Sequence, residues 1–311
     1  MNITWRALLV CAGVGVSGAA NADGLAARVV DVPEPARRVA AAEIAKAKVA
    51  EPETFEAVRK VHGVRREFYG RLRNPIPMAS RELRALGPSA LWAMVDALAF
   101  DAPPRGELND EEWTALTAGL LEAVGALRDP RSGPVLGAVF ENGPASPRVR
   151  TAAAKALGRL CGDAELGVLV KHLPRGDARR LAAIHGLGEC RRAESVDKLA
   201  GLLSAETDPA TVEALASALG AVGSSWAWKA MGPEADATGL AVRKAAATAL
   251  VAAYAGRSAE TRASLSRAIA AVDQPETLAL IDQARARVGA DAEAQAALDR
   301  LSRTFKRRQA R

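Results

Sequence analysis

The chain is short of the residues that usually carry chemistry. Its 311 residues include three His, three Cys and only 4% aromatics. His62, His172 and His185 are far apart. None stands in a His-Glu-x-x-His pattern or beside the Cys spacing of a zinc site, so no metal centre can be read from local sequence. A site assembled across distant segments stays open. A Gly-rich phosphate loop is missing, because Gly13, Gly15 and Gly18 belong to an N-terminal apolar run. No G-x-S-x-G elbow appears, so no exposed serine nucleophile of that kind is expected. The expectation is therefore no catalytic constellation, no metal and no cofactor. With so few aromatics, packing must rely on small aliphatic side chains, and the helix formers Ala, Leu, Glu, Arg and Lys dominate.

The chain does contain an internal period. A hydrophobic–Gly step recurs at Leu86-Gly87, Val124-Gly125, Leu157-Gly158, Leu187-Gly188 and Leu219-Gly220, with Leu250-Val251 as a degenerate sixth. The spacings are 38, 33, 30, 32 and 31 residues, which marks a stack of helix pairs and not one globular core. A single pair cannot bury its own apolar face; its neighbours complete it. Arg150, Arg180 and Arg243 stand seven residues before their marker Leu, about two helical turns, and so share its face. The marker Gly costs helix propensity and reads as a close approach between helices.

The residues Pro147-Arg148-Val149-Arg150, the Ala run, and Ala156-Leu157-Gly158-Arg159-Leu160 resemble a HEAT repeat, most closely the short bacterial kind also found in phycobilin-lyase-like proteins. Segments near 181–203 and 240–250 match less fully, and 83–91 resembles a shortened opening unit. The resemblance implies an all-α, right-handed α–α superhelix, a HEAT/armadillo-like solenoid. HEAT proteins are scaffolds, adaptors, lyase-like chaperones and sometimes nucleic-acid enzymes, so the resemblance selects no activity.

The N-terminus is of another kind. Arg6, the apolar or small run Ala7–Ala19, and Ala20-Asn21-Ala22 read as a secretory signal peptide cut after Ala22. The run is too short and Gly-rich for a membrane span. An uncleaved cytosolic start and a lipoprotein acylated at Cys11 are the alternatives; the latter lacks a small residue before the Cys. Cleavage removes Arg6 and no acid, leaving 41 basic against 36 acidic residues.

Four segments follow: the leader at 1–22, an N-terminal helical cap at 23–79, the repeats at 80–288, and a C-terminal helix with a basic tail at 289–311. Within the cap, Pro33 and Pro35 argue against regular structure before a helix over 36–50, and a second helix should run from Pro52 to about Leu72. Asn109 with Glu112 reads as a capping box. Residues 233–238 read as a loop, and 239–254 with 259–272 as the first and second helices of one hairpin.

Cys161 and Cys190 lie near the ends of equivalent helices, and an oxidising compartment would permit a bridge. Packed helices stand about 8–10 Å apart, whereas bridged Cα atoms need about 4.4–6.8 Å. A disulfide closed by helix-end loops and two separately buried thiols both remain open. Trp226 and Trp228, two apart, point about 200° apart on a helix, so one packs and the other is at least partly exposed.

The function these features imply is exported, non-catalytic protein–protein interaction or scaffolding in the periplasm or cell envelope. The concave side of the second helices is the expected surface, with Lys171, His172, Lys198, Trp226, Trp228 and Lys229 as candidate partner-binding residues. The alternatives are a cytosolic nucleic-acid-binding HEAT-like protein, which alternating charge disfavours, and a lyase-like or chaperone protein acting on a bound ligand. The tail from Arg300 to Arg311 holds six basic residues and no acid, which suits a weak electrostatic contact.

Overall fold

A computed structural model of the chain describes residues 24–61 and 76–309, without the side chains of 76–78, 236–238 and 308–309. The leader at 1–22, His62, the latter part of the helix expected to reach Leu72, and the last residues of the tail lie outside them.

Sixteen α-helices are present among the described residues. The cap holds α1 (Glu34–Ala50) and α2 (Pro52–Val61), and α3 (Ile76–Ala85) opens the stack. Next come α4 (Leu91–Ala99), α5 (Asp110–Leu127), α6 (Gly133–Asn142), α7 (Pro147–Leu160), α8 (Asp163–Lys171), α9 (Arg180–Leu187), α10 (Ala193–Ala205) and α11 (Pro209–Val222). The chain ends with α12 (Ser225–Ala230), α13 (Pro233–Ala255), α14 (Ala259–Val272), α15 (Thr277–Val288) and α16 (Ala292–Gln309). They stack in two layers. The first runs α3, α5, α7, α9, α11, α14, each packed on the next. The second holds α4, α6, α8, α10 and α13, and α15 and α16 close the end. The fold is an all-α solenoid of the HEAT/armadillo-like, right-handed kind.

The marker glycines explain how the first layer packs so tightly. A Cβ on Gly125 would lie 2.6 Å from the Ala156 Cα, and one on Gly158 would lie 1.9 Å from the Gly186 carbonyl oxygen. Helix backbones therefore touch where no side chain intervenes. The accompanying Val124, Leu157, Leu187 and Leu219 are fully buried. Gly87 differs: it sits in a turn at φ +80° with open space around it.

Two sequence expectations need correction. Residues 233–238 are the opening of α13, with Pro233 in its first turn, where a missing N–H costs nothing. The hairpin 239–272 also enters the stack in reverse order. The segment after α11 forms only the six-residue α12, too short to cover it. The 23-residue α13 takes that second-layer place against α10, and α14 returns to the first layer beside α11. First-layer helices α5, α7 and α14 end on non-glycine residues in the left-handed region: Arg128, Cys161 and Asp273.

The first part of the cap, from Gly24 to Val32, is largely irregular but not loose. Leu25, Ala26, Ala27 and Val32 are buried. The Leu25 and Ala26 N–H groups donate to the Ala97 and Leu98 carbonyls, both at 2.9 Å, covering the end of α4. Gly24 rests on Ala99 so closely that a Cβ would meet its backbone at 2.2 Å. The capping box is present: Asn109 Oδ1 accepts from the Glu112 N–H, and Glu112 Oε2 accepts from the Asn109 N–H, both at 2.9 Å. Buried Asp96 holds Lys48 of α1 at 2.8 Å, which ties the cap to the stack.

Arginines satisfy helix ends across the stack. Arg179 donates to the Phe140 and Glu141 carbonyls at the end of α6, and Arg180 to Leu173 just past α8. Arg257 reaches Leu203 in α10, Arg262 reaches Tyr254 and Ala255 in α13, and Arg243 reaches Val272 and Asp273 at α14. Arg180 also pairs with buried Glu206 at 2.7 Å, and Glu206 accepts from the Thr207 and Asp208 N–H groups. The Arg180 guanidinium holds the Glu206 carboxyl down to about 2, against the opposing effect of burial.

We expect Gly158→Ala to lower stability by about 2–3 kcal/mol through backbone overpacking. Gly167→Ala, exposed on α8 with nothing near its Cβ position, should be neutral or gain up to ~1 kcal/mol. Urea unfolding of both checks this, and equal midpoints would reject the close-approach role. Glu206 contributes stability that is present above its ordinary pKa of about 4.3 and lost as pH falls towards 2. Glu206→Gln should thus cost roughly 2 kcal/mol at pH 7, with the gap to wild type closing between about pH 4.5 and 2. A gap independent of pH would show that the ion pair is not its source.

Candidate functional site

The structure does not gather the candidate residues into one surface. Lys171 is exposed in the last turn of α8 and pairs with Glu141 at 2.6 Å. That ion pair lowers the Glu141 pKa below the usual carboxylate range, with burial opposing. His172 was expected near a groove but is buried. Its Nδ1 lies 2.8 Å from Asp177 Oδ2, its Nε2 lies 3.5 Å from Glu141 Oε1, and its ring meets Phe140 edge-on at 5.2 Å. It caps α8 and latches it to α6, because the chain turns there and both carboxylates close over the ring. Lys198 is exposed on α10, and no carboxylate lies within ion-pair distance of it among the described residues.

The Trp pair splits as helical geometry requires. Trp228 is 4% exposed, and its Nε1–H donates to the Val222 carbonyl at 2.8 Å. Its ring lies so close to Gly239 that a Cβ there would clash at 2.4 Å. Trp226 is 79% exposed. The Ser224 hydroxyl caps the helix by accepting from the Ala227 N–H. Thus α12 is a short mount, anchored by one Trp and displaying the other, with exposed Met231 just beyond it. It packs on α13 and α14, whereas Lys171 and Lys198 stand on α8 and α10.

Cys161 and Cys190 are bridged, with Cα atoms 5.0 Å apart. The helix-axis separation does not apply, because neither Cys lies within a helix. Cys161 is the left-handed cap of α7, and Cys190 follows α9 in the turn before α10.

A cleft of about 540 Å³ lies in the first layer between α9, α11 and α14. Ala210, Ala214, Ser217 and Ala221 of α11 form its floor, and half-exposed Leu181 and His185 line one wall. On the opposite rim, Ser264 donates to Glu213 Oε1 at 2.9 Å, and Arg267 reaches Glu213 at 3.3 Å and Ser264 at 2.8 Å. Burial, aided by Lys155, lowers the His185 pKa below the ordinary imidazole value. The cleft thus combines a floor of small apolar residues with a rim of Glu213, Ser264, Arg267 and His185. Sequence reasoning missed this cleft because it arises from the reversed entry of α13 and α14. The small residues at 210, 214, 217 and 221 on one face of α11 were its only signal.

A second groove of about 540 Å³, between α10 and α13, is floored by Ala200, Ala249, Ala252 and Ala253. Among the described residues, no group of three or more His, Cys, Asp and Glu is placed to hold a metal. No helix of the described residues is long and apolar enough to cross a membrane.

Known proteins add little. No protein-family model matches the chain. No curated protein matches it either. Among solved structures, it is similar to human deoxyhypusine hydroxylase in complex with glycerol, at 19% identity. That likeness covers 83% of this chain and 99% of the other, with a TM-score of 0.34.

The bridge predicts that Cys161 and Cys190 of the folded protein do not react with an alkylating reagent until they are reduced. Cys190→Ser should lower stability by about 3 kcal/mol if the cross-link acts through chain entropy. Alkylation of the unreduced, denatured chain, read by mass, would show two thiols and overturn the assignment.

Proposed function

We propose that this chain is an exported, non-catalytic protein-interaction or scaffolding module of the periplasm or cell envelope, with Trp226 as its anchor. The observation that carries this is the outward Trp226 on a helix pinned by its neighbour Trp228. An exposed Trp on a fixed mount loses little side-chain freedom when covered, and Trp dominates the energetics of many interfaces. The signal-like 1–22 segment supports export, as does the Cys161–Cys190 bridge, which suits an oxidising compartment. The arginines spent on carbonyls argue against a nucleic-acid stripe along the stack. On its 147–160 motif, we read the repeat subtype as the short bacterial HEAT kind.

A second reading, a lyase-like or chaperone protein acting on a bound ligand, draws on the α9–α11–α14 cleft. It shares the fold and differs in what is held.

Affinity capture from envelope extract with the mature chain distinguishes the two. Trp226→Ala should weaken capture at least tenfold while changing stability by no more than about 0.5 kcal/mol. Undiminished capture by this variant would remove Trp226 as the anchor. Absent capture, together with a rise in melting temperature on adding a metabolite extract, would favour the ligand reading.

A further inference from the structure

The solvent face of the last helix carries a concentration of charge that the scaffold reading does not use. On α16, Ala294, Ala297, Leu298, Leu301 and Phe305 are buried against the end of the stack. At about 100° per residue, Arg300, Arg303, Lys306 and Arg307 fall within an arc of roughly 120° on the opposite side. All four are exposed. Several cations elsewhere have partners: Arg285 holds Asp282 and Asp299, Lys244 holds Glu276, and Arg192 holds Asp163 and Glu194. Among the described residues, none of these four has a carboxylate within ion-pair distance. The acids of α16, Glu293 and Asp299, lie before the basic run and are taken by Arg262 and Arg285.

We infer that this face of α16 is a docking surface for an anionic phospholipid bilayer. Charge complementarity selects the class. Four cations along about 10 Å of one rigid helix face meet a plane of lipid phosphates without rearrangement. The apolar face of the helix is already committed to the stack, so contact is electrostatic and peripheral, without insertion of the helix. Single-stranded nucleic acid wants aromatic side chains between the cations, and the only aromatic here, Phe305, is buried. The surface is one outward face without groove walls, unlike a channel that follows a nucleic-acid backbone. Docking would hold the solenoid at a membrane by its C-terminal end and leave Trp226 and the clefts free.

The test is vesicle co-sedimentation of the mature chain. Vesicles of phosphatidylcholine alone are compared with vesicles containing about 30 mol% phosphatidylglycerol, at low and high salt. The chain should bind only the anionic vesicles, and high salt should release it. Replacing the four cations with Gln (Arg300→Gln, Arg303→Gln, Lys306→Gln, Arg307→Gln) should weaken binding at least ~100-fold, with an unchanged urea midpoint. The charge-keeping set Arg300→Lys, Arg303→Lys, Arg307→Lys should retain it, which guards against a folding artefact. Equal binding to neutral vesicles overturns the inference, as does full binding by the Gln variant. So does tighter binding to an oligonucleotide or an acidic polypeptide than to anionic vesicles in the same salt. Partner capture through Trp226 is measured separately, so either result can fail without the other.

Discussion

The stack depends on one interaction more than any other: an arginine of one helix satisfying the terminal carbonyls of another. Every α-helix leaves four carbonyls without an intrahelical partner. A solenoid multiplies such ends and crowds them together, where water has little access. Arg179 covers the end of α6, Arg180 that of α8, Arg257 that of α10, Arg262 that of α13 and Arg243 that of α14. Arginine suits this task better than lysine. Its guanidinium presents several donors in a fixed plane and stays charged when buried, and the carbonyl end of the helix dipole attracts it. The contacts of Arg179, Arg180 and Arg257 also link successive repeats, so the stability of one module rests partly on the next, whereas Arg262 and Arg243 tie together the two helices of one hairpin.

That use of arginine changes what the composition means. A sequence pI near 9.5 invites a polyanion partner. Most of the positive charge that could serve one is either inside, on carbonyls, or paired across neighbouring helices with Glu111, Glu141, Glu206 or Asp163. Of the cations left without a carboxylate, some, such as Lys198, stand singly, whereas the last helix gathers four on one face. Net charge alone would have spread this surplus over the whole surface.

Much of the fold was legible because it rests on short-range chemistry. The glycine marker signals a backbone contact, and the capping box at Asn109 and Glu112 is a local exchange of hydrogen bonds. The split of Trp226 from Trp228 follows from helical twist alone. The failures share a different cause. His172 lies between Lys171 and an apolar Leu, a pattern that fits a groove, but Glu141 from another helix and Asp177 from the next turn close over it. The Leu25–Val32 segment has no period to detect; it is buried because its N–H groups find the carbonyls ending α4. For the cysteines, the sequence leaves a loop-closed bridge and two separate thiols both open; the turns in which both sit, where chains approach more closely than helices, decide for the bridge.

The reversed entry of α13 and α14 shows most clearly where periodic reading stops. Arg180 and Arg243 occupy the same position in the sequence period, yet they work in opposite directions along the chain. Arg180 reaches back to the helix before it, and Arg243 reaches forward to the end of α14. A period counts residues between similar hairpins, but it cannot say which layer a helix joins. Layer membership follows from whether the intervening helix is long enough to cover its predecessor, and α12 is not. The same shortfall that spoils the period gives α12 its free surface. A full-length helix in that place would be packed like α10, and Trp226 would then face a neighbour instead of solvent. The irregularity in the repeat and the exposure of its most prominent aromatic are therefore one structural event.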